Sequence, residues 1–559
     1  MRKHTIPLTL ILVFALIGTK ALFHTSLFSA HDIWHQVARF YHYQKAVSEG
    51  QYPPYWIGTL AHGLGYPLFF FSYHLPWIIG LPILWISNSI PISLKTLFVI
   101  SYLLSGIFMY IFAFNLLKNK LASLLSSLLY LWAPYRFVTI FVYGSIGTAF
   151  IFTFLPLLFL GILKTSNNKT TRSGIILTAV GLSTLLLSHL MTTLSIIPIL
   201  FLFILSSQKT NKAATGKGLL LGIGLSAFYL IPAVYYSKFT QVSTGAFDNL
   251  YQHGFANFSQ LIYSKWGYGI YKESIKEGAF SLQIGIAQWL TVLSSVLVVT
   301  WFLLFKEFKK LKTTFTFLVN ESIYKKFTPL ILSSLVGFAL SIFAILDYSH
   351  PAWDLLSKVI TLDSPTMFML PATFTASILS GTLYVITNKK LKILLFTSLL
   401  AIAFYTNRNH LRVNMYTSFS VPDYVAAETT TNSFHEYLPL TANLNLIYGP
   451  QVPLIEPENI KPEKIIRNTN LLAFSFSAPE KTTVTIKHLV FPGIVLYEDE
   501  QKKAFTKEKS GRIQFETQAG QHNIVVKFEE TFLIKISKLT SIFSILALLF
   551  LWRKNHAKT

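Results

Sequence analysis

The sequence predicts a polytopic α-helical membrane protein carrying a β-rich domain near its C-terminus. Three observations predict it. Of 559 residues, 52% are hydrophobic and only 13% charged, about half the charged share of an ordinary soluble domain. Apolar stretches near 20 residues long recur along the chain, each about long enough to cross a ~30 Å hydrocarbon core as a helix. After residue 480 the pattern changes to short, alternating, β-branched runs separated by polar turns.

The apolar stretches are 6–23, 93–117, 120–140, 148–164, 173–188, 190–207, 218–236, 282–305, 328–346, 366–387, 391–406 and 533–552, which predicts about 12 transmembrane helices. A further run, 67–87, is interrupted by Pro67, Pro76 and Pro82, and each proline removes a helical hydrogen bond. Charge decides how to treat it. If 67–87 does not cross, the clusters Lys118/Lys120, Lys164/Lys169/Arg172, Lys209/Lys212/Lys217, Lys306/Lys309/Lys310/Lys312/Lys325/Lys326, Lys389/Lys390/Lys392 and Arg553/Lys554/Lys558 all fall on the cytoplasmic side, as the positive-inside rule requires. A re-entrant or surface-lying 67–87 follows.

The predicted organisation is a transmembrane domain over 1–406 with a long external loop at 24–92, further external loops at 237–281 and 347–365, a β-rich external domain over 407–532, and a final helix with a basic cytoplasmic tail over 533–559. The basic Met1-Arg2-Lys3-His4 before an apolar run reads as an uncleaved first span, because no small-x-small cleavage site follows. Both termini are expected in the cytoplasm. In the β-rich domain Val484–Val490, Gly493–Tyr497, Arg512–Glu516 and His522–Phe528 read as strands of a small antiparallel β-sandwich.

Composition also excludes. The net charge of +23 comes from 47 Lys and Arg against 24 Asp and Glu. It falls in short clusters between apolar runs, whereas a nucleic-acid binder gathers it on one face or stripe. Nucleic acid is not an expected partner; the lipid bilayer is. With no cysteine, disulfides and thiolate-ligated metals are impossible.

The first external loop is the most informative stretch. Asp32, His35, Arg39 and His42 are spaced 3, 4 and 3 apart and share one helical face; Ile33, Val37, Phe40 and Tyr41 lie on another. Such a helix is expected to lie in the interface, apolar side in the headgroups and ionisable side toward a cavity. Asp32, where the first span meets this helix, can accept a proton or hold a divalent cation, and His31, His35 and Arg39 can bind a phosphate. The plainer alternative is that Asp32 caps the helix and the cations meet lipid phosphates. After the helix, "GQYPPYW" (50–56) and the glycines of "GLGYPLFFF" (63–71) build a rigid turn. No strand precedes these glycines, so they are not a nucleotide fingerprint.

These strings resemble a bacterial membrane family of GT-C type, the YfhO-like, "6-pyruvoyl-tetrahydropterin synthase-related" group. The resemblance continues in "LLYLWAPYRF" (128–137), "LLSHLMTTL" (186–194), "WGYGIYKESIKEGAFSLQIG" (266–285), "SPTMFMLPATFTASILSG" (364–381), "FHEYLPL" (434–440), "FPGIVLYED" (491–499) and "AGQHNIVVKF" (519–528). It implies a polytopic glycosyltransferase fold in a bacterial plasma membrane. Its members take a sugar from a polyprenyl-phosphate carrier and transfer it on the outer face to a cell-envelope glycan, lipid or protein. On that resemblance Asp32 is the catalytic base or metal-associated carboxylate.

The chain also departs from the family, with Tyr143 and Thr148 where relatives often carry Arg and Glu, which weakens the case for a bound divalent cation and leaves room for an altered or inactive site. Neither pterin nor nucleotide is expected as a cofactor; His31, His35 and His42 form no compact zinc set. His189 reads either as a phosphate ligand or as a wetted turn residue, and Arg136 as a phosphate ligand or a snorkelling anchor. Asp248, His253, Asp347, His350, Asp354 and Asp363 either complete a site or are merely solvated. Two other functions compete. One is a transporter or flippase of lipid-linked saccharides, expected to show ionisable or broken helices at mid-membrane depth. The other is a catalytically silent scaffold displaying the β-rich domain.

Overall fold

The computed structural model describes residues 4–206, 211–269, 279–304, 318–358 and 363–556. Lys209, Lys306, Lys309, Lys310, Lys312 and Lys558 of the basic clusters lie outside the described residues, as do residues 270–278 of the 266–285 string. Among the described residues seven helices are long and apolar enough to cross a membrane: Ile90–Leu117, Ile146–Thr165, Thr171–Ser188, Ile286–Leu304, Glu321–Ile345, Pro365–Ile386 and Phe532–Lys554. Their outward side chains, Leu293, Leu297, Leu340, Phe543, Leu546 and Phe550 among them, are exposed, a surface that hydrocarbon solvates and water does not. The chain is a multi-pass membrane protein.

Two expected straight spans are bent instead. Lys120–Leu131 meets Pro134–Val142 at 50°, and Lys212–Leu225 meets Ala227–Phe239 at 69°; counting each pair as one span gives nine. The first bend has a visible cause. Pro134 has no N–H to donate, which would orphan carbonyls at the end of the preceding helix. Side chains satisfy them: Gln288 Nε2 donates to Leu129 O at 3.0 Å, Tyr102 Oη to Leu131 O at 2.7 Å, and Asn407 Nδ2 to Trp132 O at 2.7 Å. In an apolar interior such partners are what permits a break at all.

The run 67–87 divides as the prolines suggest. A short turn, Leu68–Phe71, stops at Ser72, and Leu75–Ser87 continues as a helix of 13 residues, about 20 Å long and too short for the ~30 Å core. Thr5–Gly18 and Leu190–Ser206 are likewise apolar but short.

The amphipathic helix expected after Asp32 spans Ile33–Ser48, but its apolar face does not lie in the headgroups. Ile33, Val37 and Phe40 are fully buried in the protein core, and Phe40 stacks on Trp77 at 5.2 Å. A neighbouring helix competes successfully with lipid for that face, because aromatic packing against Leu75–Ser87 adds to burial. The opposite side is covered by the chain that follows Lys392–Asn407. There, β1 (Leu27–Phe28) pairs antiparallel with β2 (Tyr416–Thr417), Trp34 packs on Phe419 and Tyr424 at 5.0 and 4.4 Å, and residues 428–436 run over the helix as a strap.

The remaining strands form two antiparallel sheets. One is ordered β3 (Ile455–Glu456), β6 (Thr482–Leu489), β10 (Arg512–Thr517), β9 (Thr506–Lys507); the other β4 (Glu463–Arg467), β5 (Leu471–Ala478), β11 (Gly520–Phe528), β7 (Ile494–Glu498), β8 (Gln501–Lys503). Leu472, Phe474, Phe476, Val484, Ile486, Ile513, Phe515, Ile524 and Val526 are all buried, giving cores built on the period of two that strands require. The first long connection holds this region in place. Glu49 accepts from the Thr469 backbone and hydroxyl at 2.6 Å, Gln51 donates to Thr469 Oγ1 at 2.9 Å, and Trp56 stacks on His488 and Phe491 at 5.5 and 5.6 Å. The "GQYPPYW" turn therefore joins the helical bundle to the sheets.

Candidate functional site

The turn that carries Asp32 is fixed by its backbone. His31 N–H donates to Val142 O at 2.9 Å and Asp32 N–H to Tyr143 O at 2.8 Å, which docks the turn against the loop before the Ile146–Thr165 helix. Gly144 makes the approach possible. Its φ is +65°, and a Cβ there would stand 2.9 Å from Ile33 Cγ1 and 3.0 Å from Ala30 Cβ. Only glycine meets both demands without strain.

Asp32 occupies the N-cap position of Ile33–Ser48, but its side chain makes no capping hydrogen bond. The plain capping role does not hold. The backbone shows why: with φ −97° and ψ −1° the residue is already near-helical and not in the extended conformation a side-chain cap uses. The half-buried carboxylate is instead within electrostatic reach of groups from five parts of the chain. Its charge is felt by Arg39 on the same helix, Tyr73 before Leu75–Ser87, Tyr143, His189 at the end of Thr171–Ser188, and Asp363 before the Pro365–Ile386 helix.

Electrostatics within this set are mixed. Burial opposes the Arg39 charge, but Tyr73, Asp32 and Glu436 outweigh it and hold the guanidinium above its ordinary pKa. Burial lowers the His189 imidazole to about 4, the pull of Asp32 and the push of Arg39 being smaller, so the ring is neutral at physiological pH. Surrounding protein, then the like charge of Asp32, raises the Asp363 carboxyl.

The structure brings some expected residues together and separates others. His31 Nε2 lies 3.2 Å from Tyr268 O and its ring 5.7 Å from Tyr143, beside Asp32 but turned to the 237–281 connection. His35 and Arg39 are engaged by the strap: His35 Nδ1 is 2.7 Å from Glu428 Oε2 and Nε2 3.2 Å from Ser433 Oγ, while Arg39 Nε and Nη2 donate to Thr431 Oγ1 and O at 3.2 and 2.6 Å. His189 caps the helix that follows it, Nδ1 accepting from Thr192 N–H at 3.2 Å.

Arg136 stays apart from Asp32. It is fully buried inside the bundle, so it does not snorkel; Nη1 donates to Ala149 O at 3.4 Å and Nη2 to Ser101 Oγ at 3.3 Å, with the guanidinium over Tyr102 and Phe152 at 5.1 and 4.8 Å. Of the loop acids, Asp354 is taken by Tyr251 and by His350, 3.0 Å away. Tyr497 in the β-rich region donates to Glu529 at 2.8 Å.

Sequence reasoning missed Glu436 and gave Asp363 no special place. Glu436 lies in "FHEYLPL", where no periodicity marks it. Asn432 Nδ2 donates to its Oε1 at 2.8 Å, while Oε2 is buried without a partner among the described residues. Asp32 and Asp363 form a pair of carboxylates, but among the described residues no group of three or more His, Asp or Glu is arranged to hold a metal ion.

No family model matches the chain. A protein of Lactococcus lactis subsp. cremoris strain MG1363, described as uncharacterized, is 27% identical over 245 residues, 41% of this chain and 40% of that one. The crystal structure of the Archaeoglobus fulgidus oligosaccharyltransferase in the apo form aligns at a TM-score of 0.37 and 12% identity, over 77% of this chain and 55% of that chain. The chain thus spans about two-fifths and about half of the lengths of these two proteins.

Proposed function

We propose that this protein is a GT-C-type membrane glycosyltransferase that moves a sugar from a polyprenyl-phosphate carrier to an extracytoplasmic acceptor, with Asp32 as the general base. The observation that carries the reading is the Asp32 carboxylate: half-buried, on a turn held by backbone bonds, free of helix capping, and within electrostatic reach of Arg39, His189 and Asp363. A carboxylate that makes no capping bond is free to accept the proton of an acceptor hydroxyl.

In the proposed step Asp32 accepts the proton of an acceptor hydroxyl. The hydroxyl oxygen forms a bond to the anomeric carbon of the sugar. The carbon–oxygen bond to the carrier phosphate breaks, and the carrier leaves with that electron pair. Hydrocarbon-facing helices supply the surface along which a polyprenyl tail lies. The topology that fits has about 12 spans, both termini in the cytoplasm, and a β-sandwich outside a bacterial plasma membrane.

A second reading is a transporter or flippase of lipid-linked saccharides. Two bent helix pairs and the buried Arg136 favour it. The first bend, however, has its carbonyls taken by Gln288, Tyr102 and Asn407, which makes it a closed joint. One experiment separates these readings. Purified protein in lipid vesicles is given a labelled polyprenyl-phosphate sugar and envelope acceptors; label in the acceptor supports transfer, label moved between leaflets supports transport, and neither supports a silent scaffold.

A further inference from the structure

We infer that Arg39, Asn432 and Glu436, with Gln36 joined to them through Tyr73, form a subsite for a neutral sugar ring, not for the carrier's phosphate. The inference deepens the transfer reading by assigning which part of the substrate lies beside Arg39.

Three observations carry it. First, buried polar atoms there lack partners among the described residues: the acceptors Glu436 Oε2 and Asn432 Oδ1 on the strap, and the donor Gln36 Nε2 on the helix. Gln36 is fully buried, and its Oε1 already accepts from Tyr73 Oη at 2.6 Å. Unmatched buried groups of both kinds are rare in folded proteins and costly. Second, these groups converge on Arg39. The guanidinium lies over the Tyr73 ring that Gln36 holds, donates to Thr431 next to Asn432, and senses the charge of Glu436. Third, the Arg39 charge is already balanced. Asp32 and Glu436 face it, and two of its nitrogens are spent on Thr431.

A phosphate offers only acceptors and negative charge, so Glu436 would repel it. A sugar ring offers hydroxyls that both donate and accept, matching the unpaired acceptors of Glu436 and Asn432 and the unpaired donor of Gln36. Tyr437, stacked on Phe71 at 4.4 Å, adds an aromatic pair next to Glu436.

Ligand-observed NMR on the full chain in nanodiscs tests this without turnover. The probes are a panel of methyl glycosides of hexoses and N-acetylhexosamines, with inorganic phosphate and pyrophosphate as comparators. At least one glycoside is expected to receive saturation transfer at millimolar concentration. Glu436→Gln is expected to weaken it about ten-fold or more, since a site built to pair a hydroxyl discriminates strongly when one partner is altered. Glu436→Asp, which keeps the charge facing Arg39 but withdraws the oxygens, is expected to weaken binding as well, so a misfolded Gln variant still leaves a reading. The subsite is overturned if the unmodified protein binds phosphate or pyrophosphate but no glycoside, if it binds none of the probes, or if both folded variants bind glycoside as well as it does. Glycoside binding without any transfer from a lipid-linked donor would sink the transferase reading and leave this subsite standing.

Discussion

His35 Nδ1 and Glu428 Oε2 lie 2.7 Å apart although 393 positions separate them in the chain. With Arg39 bonded to Thr431, the pair fastens the 428–436 strap over the Ile33–Ser48 helix that begins at Asp32. Both side chains are largely buried, at 18% and 11% exposure. Glu428→Gln should cost on the order of 1 kcal/mol of stability, and hydrogen exchange should quicken across 428–436 while the sheets stay protected.

Gly144 is predicted to be intolerant of any side chain. Gly144→Ala places a Cβ 2.9 Å from Ile33 at a φ of +65°, and the left-handed backbone alone costs an alanine about 1–2 kcal/mol. The expected result is a lowered melting temperature together with impaired transfer, because the turn that displaces is the one holding Asp32.

Asn407→Leu tests the bent helix. It removes the donor to Trp132 O and leaves a carbonyl unmatched in an apolar interior, a loss of about 1–2 kcal/mol. A double change with Gln288→Leu should be worse than additive if the two side chains support one joint.

His189 gives a prediction in pH. Its folded pKa is about 4, below the ordinary imidazole value of about 6.5. As pH falls from about 7 toward 4 the unfolded chain binds a proton that the folded chain refuses, so stability is lost across that window. His189→Asn should flatten the decline in melting temperature over the same range; an unchanged slope would show that this ring is not enclosed as described.

What the sequence made legible was what repeats. Apolar runs such as 93–117 and 148–164 became the helices Ile90–Leu117 and Ile146–Thr165, and alternation at 484–490 and 522–528 became β6 and β11. β5 carries the same alternation in Leu472, Phe474 and Phe476, whose side chains are buried, but it lies outside the four strands the alternation predicted. The strap was hidden because Glu428, Thr431 and Glu436 have no local period; their partners come from a helix nearly 400 positions earlier. The fate of the apolar face of Ile33–Ser48 was hidden for a related reason. A stripe of Ile33, Val37 and Phe40 asks for burial but does not say whether lipid or Trp77 supplies it. Arg136 shows the same limit: whether a cation near a span end reaches water depends on neighbours that sequence order does not place beside it.

The most direct test of the central claim is Asp32→Asn, assayed for transfer from a labelled polyprenyl-phosphate sugar and for melting temperature in the same preparation. Loss of a general base predicts a fall of about 100-fold or more in transfer, far beyond what the small loss of melting temperature from removing a charge partner of Arg39 explains. Full transfer by the Asn variant would contradict the assignment, and so would a collapse of stability that accounts for the lost activity.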